Sequence, residues 1–559
     1  MLSRLFDRYL GLPEATTPDI EITHDLRVTM PDGVVLLADR YRPRGSEPLP
    51  VVLMRTPYGK QRLDVKGTAR VLARRGMQVV VQNARGTFGS GGQFSAFHQE
   101  KEDGLATAAW LRGQPWCDGR LAMAGASYLG FTQWAVGPYL DPPLEAMCLG
   151  VTASEFRTTF YPGDVFALHN SLTWSAFLGT QESARLGGLL PDPRQASRVR
   201  RAMAHVPVGT SDVAAIGKQV PFLREASAHT SAADAYWSDV DNSAAAVKMT
   251  TPTSMVTGWW DLLLPAQLRD YAALREAGRR SRIVIGPWGH DFGAMRALLA
   301  EEVSWLSAHL LGDSAQLQRS PVRLYLQRAN RWLDFEKWPP AQSAPTRLHL
   351  LPYQRLGWDA PGEPGANPSA YAADVFTYDP ARPTRSRGGP LLDSREAGQR
   401  DNRDIEARPD VLVYTGSPLP RHLDLIGPVS ATVYVRTDTG HGDLFVRLCD
   451  VDPAGVSRNV TDGILRLPET SEGDVVRAEV ELHPTGYRFM RGHRLRVQVA
   501  GGAFPRFARN HGTGEPVGRA VRTRSTRFEI FHDAEHPSSL TLPVFGREGG
   551  NDRGDVPGS

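Results

Sequence analysis

The sequence predicts a mostly parallel α/β sheet domain, interrupted by a helical insertion and followed by an all-β sandwich of jelly-roll type. Three observations predict it. Short apolar runs alternate with helical stretches on either side of residues 149–246, the order that gives parallel strands joined by right-handed crossovers. Residues 149–246 themselves are helical and rich in aromatics. Beyond about residue 318 helical patterns nearly vanish, and short alternating strands separated by Gly, Pro and Asp turns take over. A chain of 559 residues is also too long for one core. The expected organisation is a first part of the α/β core over 1–148, a helical cap over 149–246, the second part of the core over 247–318, the β-sandwich over 319–545 and a disordered tail over 546–559.

The elements justify themselves in order. MLSRLFDRYLGLPEATTPD has Asp7 inside its apolar part and no small-residue cleavage site, so it reads as an amphipathic helix and not a signal peptide. IEITHDLRVTM and VVLLADRYRP form a hairpin turning at Pro31-Asp32-Gly33. LPVVLMR and MQVVVQNARG are buried-strand runs around the helical ARVLARRG. GLATAAWLRGQ is helical, LAMAGAS a strand, and FTQWAVG helical again. DPRQASRVRRAM and SDVAAIGKQVPFLREA supply cap helices. TPTSMVTGWWD and RIVIGPWGH return to strand-then-loop units, and a helix follows near Leu298 to Leu311. PVRLYLQ, TRLHLLP, VLVYTGSPL, VSATVYVRT, GDLFVRLCDV, VVRAEVELHP, HRLRVQVAG and STRFEIFH are the expected sandwich strands.

Composition excludes several function classes. A net charge of +3 spread over scattered Lys and Arg gives no nucleic-acid-binding face. No run of about 18 apolar residues exists to span a membrane. Cys117, Cys148 and Cys449 lie far apart without CxxC spacing, which argues against a disulfide framework or a zinc site and fits a reducing cytoplasm. Asn459-Val460-Thr461 matches a glycosylation sequon, a triplet that chance also produces. Gly86 to Gly92 fits neither G-x-G-x-x-G nor a Walker A lysine, so it reads as a structural loop, with Arg85 in an ion pair. His98, His169 and His229 read as ordinary histidines, and Cys117 as packing.

The stretch LAMAGASYLG carries the chemistry. A serine hydroxyl becomes a nucleophile only when a histidine takes its proton and a carboxylate orients that histidine. The serine also needs small neighbours, so that strand and helix pack closely around a strained turn. Gly125 and Gly130 flank Ser127 in that way, although the second glycine lies three residues after the serine instead of the usual two. A Gly-x-Ser triplet alone is equally an ordinary strand-to-helix turn. GWWD then places Asp261 after an apolar run, and GPWGH places His290 after the next. Ser127, Asp261, His290 is the chain order of the α/β-hydrolases, each group on a loop after a parallel strand.

RTPYGK, NARGTFGSGGQF, QPWCDGRLAMAGASYLG, GWWD and GPWGH together resemble the cocaine-esterase and X-Pro dipeptidyl-peptidase family of serine hydrolases (CocE/NonD-like). LDLIGPVSATVYV and GHRLRVQVAGGAFPRFARN resemble its C-terminal jelly-roll, so the likeness covers roughly residues 25–535. Its serine motif, Gly-x-Ser-Tyr-x-Gly, accounts for the late glycine. The resemblance implies an α/β hydrolase with an inserted helical cap followed by an all-β jelly-roll sandwich. It implies Ser127 as nucleophile, His290 as general base and then acid, and Asp261 as the orienting carboxylate, with Asp291 a rival on sequence alone. The oxyanion hole it implies is the backbone N–H of Tyr128 plus the phenol of Tyr58. Neither a cofactor nor a metal is called for.

The partner expected is a small-molecule acyl substrate. Phe156, Phe160, Tyr161, Phe166 and Trp174 of the insertion, with Trp259 and Trp260, are candidates for an apolar acyl pocket, which would suit an aryl or bulky acyl ester. The expected activity is ester hydrolysis through an acyl-enzyme, with amides second. X-Pro dipeptidyl-peptidase or acylaminoacyl hydrolase is the alternative, and Glu155 and Asp164 are the candidates to hold a dipeptidyl-peptidase substrate's α-amine. A rival of another class is an inert hydrolase domain whose β-sandwich binds carbohydrate or a partner. A homodimer through that sandwich is compatible with the sequence.

Overall fold

The computed structural model describes residues 11–45, 48–183, 193–314, 317, 319–361, 373–471 and 473–546. The expected N-terminal helix therefore falls largely, and the expected tail almost wholly, outside the described residues. Two large sheets organise the chain. The first contains β1 (Ile20–Thr29), β2 (Val35–Pro43), β3 (Leu49–Thr56), β4 (Gln78–Asn83), β5 (Cys117–Ala126), β6 (Ala146–Gly150), β7 (Thr253–Trp260), β8 (Ser281–Gly289), β9 (Val322–Leu326) and β10 (Arg331–Phe335). Their order is β1-β2-β4-β3-β5-β6-β7-β8-β9-β10. The strands from β4 through β3 to β9 run parallel, and β1–β2 form the antiparallel hairpin read from the sequence.

Alternation along the strands explains why helices cover both faces. Val51 and Leu53 of β3, with Leu121 and Met123 of β5, pack on Leu111 of α2 (Glu100–Arg112) and on Leu268 and Tyr271 of the helix Leu264–Glu276. Val52, Met54, Ala122 and Ala124, one residue out of phase, pack on Leu72 of α1 (Leu63–Ala73) and Leu306 of the helix Phe292–Leu311. Between β6 and β7 the cap supplies the helix Leu168–Thr180 and the shorter Pro193–Ala202, Ser211–Ile216 and Pro221–Ala228, around a buried aromatic cluster.

PVRLYLQ is not a sandwich strand: as β9 it pairs parallel to β8, and β10 pairs antiparallel to β9, so the first sheet runs on past residue 318 to Phe335. Its alternating side chains record a strand with one well-covered face, a signal common to edge regions of both sheets. The second sheet follows with eleven strands, β11–β21, between Ser343 and Phe545, nearly all antiparallel. It is stitched to the first by backbone bonds from Gln327 N–H to the Gly486 carbonyl (2.9 Å) and from Arg488 N–H to the Gln327 carbonyl (3.1 Å). The cap docks beneath it through Ala508 N–H to the Phe166 carbonyl (2.8 Å) and His169 N–H to the Arg506 carbonyl (3.2 Å).

Glu302, on the helix Phe292–Leu311, is buried, and burial alone pushes its carboxyl from 4.5 up to about 8. The folded chain keeps this proton while the unfolded chain releases it. The group therefore costs no stability below its ordinary pKa and costs roughly 1.4 kcal/mol for each pH unit between the two values. Glu302→Gln, which cannot ionise, should raise the thermal midpoint at pH 8 and change it little at pH 4.5. The check is thermal unfolding of both proteins across that range; a gain independent of pH would contradict the assignment.

Candidate active site

The site forms at the carboxyl ends of β5, β7 and β8, where open parallel sheets present their loops. Ser127 sits between β5 and α3 (Tyr128–Trp134) at φ 57°, ψ −121°, a conformation that costs a non-glycine residue about 1–3 kcal/mol. Its surroundings hold it there. The Ser127 N–H donates to the Gly150 carbonyl (2.8 Å), and the Ser127 carbonyl accepts from Gly130 N–H (2.9 Å), Phe131 N–H (3.0 Å) and the Thr152 hydroxyl (2.8 Å). A Cβ on Gly130 would lie 2.4 Å from Thr152 Cγ2, and one on Gly125, at φ +139°, would lie 2.5 Å from Leu129 Cβ. The glycine three residues after the serine is thus needed where α3 crosses the chain leaving β6.

His290 follows β8, and its Nδ1 is 2.8 Å from Oδ2 of Asp261, which follows β7. Asp261 is fully buried, and its other oxygen accepts from Leu263 N–H (2.8 Å). Asp291 is engaged elsewhere. It caps the helix Phe292–Leu311, accepting from Gly293 N–H (2.8 Å), and also takes the Gly289 N–H (3.0 Å). Tyr58 comes from the loop after β3. Its phenol accepts from Trp174 Nε1 (3.1 Å) and neighbours the Ser127 hydroxyl; burial raises its pKa against these two contacts, which keeps it a neutral O–H donor. The Tyr128 N–H is the first of α3 and so has no acceptor within its own helix.

Ser127, His290, Tyr58 and Tyr128 all line one cavity of about 30 Å³. By the same measure a single water needs on the order of 10–15 Å³, so the cavity has room for about two water-sized groups. Phe97, Phe156, Phe160, Trp174, Leu262, Leu263 and Thr159 complete it, together with Leu392 from the sandwich. Of the aromatic candidates, Phe156, Phe160 and Trp174 line the cavity. Four other pocket candidates do not reach the cavity. Tyr161 donates to the Ala226 carbonyl (2.7 Å) and packs on Phe166, itself wholly buried in the cap core. Trp259 donates to the Tyr325 carbonyl (2.6 Å) against Trp338, and Trp260 belongs to the same core. Both tryptophans lie on β7 ahead of the turn, so the strand buries them before the chain reaches the site.

Glu155 is engaged by the Thr158 N–H (3.0 Å) and Arg269 (3.1 Å), and Asp164 by Arg157 (2.6 Å); neither lines the Ser127 cavity. They border two larger clefts of about 380 and 340 Å³, the second running between cap and sandwich and sharing Thr159 and Leu262 with the cavity. Arg85 pairs with Asp103 and Asp32 (both 2.6 Å). Asn459 is buried, with its side chain bonded to Arg400 N–H and the Gly398 carbonyl, so the sequon is a structural residue.

Sequence reasoning missed Phe97, Thr159, Leu262, Leu263 and Leu392. Phe97 sits at φ 74° in an irregular loop, and Leu392 arrives on a sandwich loop held by backbone bonds between Gly389 and Gly398 and by Leu392 N–H to Asn170 Oδ1 (3.1 Å). Leu262 and Leu263 directly follow Asp261, the one local signal that marked them.

Fold and cavity together define a class: an α/β hydrolase with a cap and a β-sandwich, equipped for serine hydrolase chemistry. Residues 32–291 match the X-Pro dipeptidyl-peptidase (S15) family, and residues 316–541 match the X-Pro dipeptidyl-peptidase C-terminal non-catalytic domain. The chain belongs to this family of serine hydrolases, as its motifs indicate. It is 29% identical to the cocaine esterase of Rhodococcus sp. (strain MB1 Bresler), over 94% of this chain and 99% of that one. Among solved structures it is similar to an aminopeptidase from the marine sediment archaeon Thaumarchaeota archaeon (TM-score 0.80, 22% identity, 96% of this chain and 99% of that one). It is also similar to an α-amino acid ester hydrolase (TM-score 0.79, 21% identity, 95% and 98%). No helix among the described residues is long and apolar enough to cross a membrane.

Removing the Asp291 cap isolates its role. Asp291→Ala should cost about 1 kcal/mol of stability and leave the His290–Asp261 bond intact. Thermal unfolding, with the His290 Nδ1 proton followed by NMR, checks it; loss of that proton signal would show that Asp291 orients the imidazole.

Proposed function

We propose that this chain is a carboxylesterase that cleaves esters of small uncharged acyl groups through an acyl-enzyme on Ser127. The observation that carries this reading is the lining of the Ser127 cavity: it contains no Asp, Glu, Lys or Arg among the described residues, and its walls are aromatic and aliphatic. A dipeptidyl-peptidase holds its substrate's free ammonium, and a desolvated ammonium beside such walls is costly without a carboxylate. The cavity's size favours an acetyl or propionyl group over the aryl or bulky acyl group expected from the sequence. The cleft of about 340 Å³ beyond Thr159 and Leu262 gives the leaving alcohol room. A cytoplasmic location belongs to the same reading, supported by three free cysteines.

With Nδ1–H donated to Asp261, the His290 Nε2 carries the lone pair that takes the Ser127 proton. The serine oxygen attacks the ester carbonyl, and the carbonyl oxygen takes up the negative charge. That oxyanion accepts from the Tyr58 phenol and the Tyr128 N–H, two donors set among apolar walls. Nε2–H then protonates the departing alkoxide as the tetrahedral carbon collapses to the acyl-enzyme. Water, deprotonated by the same Nε2, releases the acid and restores the serine.

Steady-state kinetics with p-nitrophenyl esters tests the reading. Acetate and propionate should turn over faster than benzoate, with Ala-Pro-p-nitroanilide cleaved poorly. Trp174→Ala should raise benzoate turnover relative to acetate. Ser127→Ala should abolish turnover, Asp261→Asn should lower kcat by about 10⁴ and Tyr58→Phe by about 10²–10³. Anilide cleavage exceeding ester cleavage would instead favour the dipeptidyl-peptidase.

A further inference from the structure

Behind the cavity lies a buried polar network that the proposed mechanism does not itself use. The Tyr128 side chain is 1% exposed, and its hydroxyl donates to Glu100 Oε1 (2.9 Å) while accepting from Phe97 N–H (2.9 Å). Burial and the adjacent Glu100 charge hold the phenol's pKa well above its usual range, so its proton stays on the oxygen and the carboxylate stays the acceptor. The second Glu100 oxygen lies 2.6 Å from Nη1 of Arg55, which also donates to the Glu100 carbonyl (2.8 Å); both side chains are buried. Arg55 Nε donates to Gln82 Oε1 (2.9 Å), fixing the guanidinium plane against β4.

The placement of these residues gives the network its meaning. Arg55 lies on β3, three residues before Tyr58, and the Tyr58 N–H donates to the Thr56 hydroxyl between them (3.0 Å). Glu100 opens α2, and Tyr128 opens α3 directly after Ser127. Two oxyanion donors from different strands therefore share one buried ion pair. The Tyr128 peptide is held through its own phenol by Glu100, and the strand end bearing Tyr58 is held by Arg55. Gly104 on α2 makes room: a Cβ there would lie 3.0 Å from Arg55 Nη1 and 2.2 Å from Val136 Cγ2.

We propose that Glu100 and Arg55 are positioning residues that set the two oxyanion donors, the Tyr128 N–H and the Tyr58 phenol, relative to one another. This rests on the ester-hydrolase reading of the site. Glu100, Arg55 and Gln82 do not line the Ser127 cavity, and their effect is confined to the state in which the carbonyl oxygen carries charge. Loosening it should lower kcat and leave KM nearly unchanged, since ground-state binding draws on the apolar walls.

Tyr128→Phe carries the test, because it removes the phenol oxygen and leaves the Glu100–Arg55 pair intact. Active sites are first counted by fluorophosphonate labelling, so that misfolded molecules drop out. The expected result is a kcat per labelled site reduced by about ten-fold or more, with KM for p-nitrophenyl acetate within two-fold. Inhibition by a small alkylboronic acid, which forms a tetrahedral anion on the serine, should weaken by the same factor, while inhibition by acetate stays as in wild type. Glu100→Gln, which keeps an acceptor for the phenol, should retain more activity than Glu100→Ala. An unchanged kcat per labelled site in Tyr128→Phe, or equal losses in boronate and acetate affinity, would overturn the proposal. Wild type that neither labels nor hydrolyses esters would overturn the underlying reading instead.

Discussion

A serine held at φ 57° is a conformation that a free chain avoids, and everything at this site depends on the packing that enforces it. The Gly150 carbonyl, the Thr152 hydroxyl and the contact of Gly130 with Thr152 pin the turn from the β6 side. With the turn fixed, the serine oxygen faces the cavity and the next peptide N–H heads a helix without an intrahelical acceptor. The strain is offset by the sheet core beneath, where Leu121 to Ala124 alternate between two apolar layers.

The domains meet at this point, and each contributes what the others cannot. The sheet supplies Ser127, His290, Asp261 and Tyr58 from the ends of parallel strands. The cap supplies Phe156, Phe160 and Trp174, and Trp174 also donates to the Tyr58 phenol and so orients it. The sandwich supplies Leu392. An apolar enclosure of this kind strengthens every hydrogen bond to a developing charge, because little water remains to compete.

The parallel sheet, the cap, the sandwich and the placement of Ser127, Asp261 and His290 each after an apolar run were legible because strand period and chain order are local signals. Gly130 was legible as an irregularity, and its reason emerged only with Thr152 opposite it. Trp259 and Trp260 misled because an aromatic pair beside a site residue looks like pocket wall, whereas strand β7 commits both rings to the core before the chain turns. β9 misled because alternation reports a covered face and is silent about which sheet covers it. Phe97 and Leu392 come from irregular loops; Leu392 is bonded to a residue 222 positions away, and no periodicity encodes such a contact. Glu100 was hidden for another reason: an acidic residue at a helix start reads as a favourable charge on the dipole, and its link to Tyr128 and Arg55 exists only once three elements pack.

Ser127, held ready in its turn, depends on His290 for its nucleophilicity. Reaction with a fluorophosphonate, followed by peptide mass spectrometry, tests it most directly. One adduct per chain is expected, on Ser127, formed rapidly in wild type and lost in His290→Ala while the variant stays folded. An adduct on another residue, or labelling of Ser127 at an equal rate without His290, would contradict it.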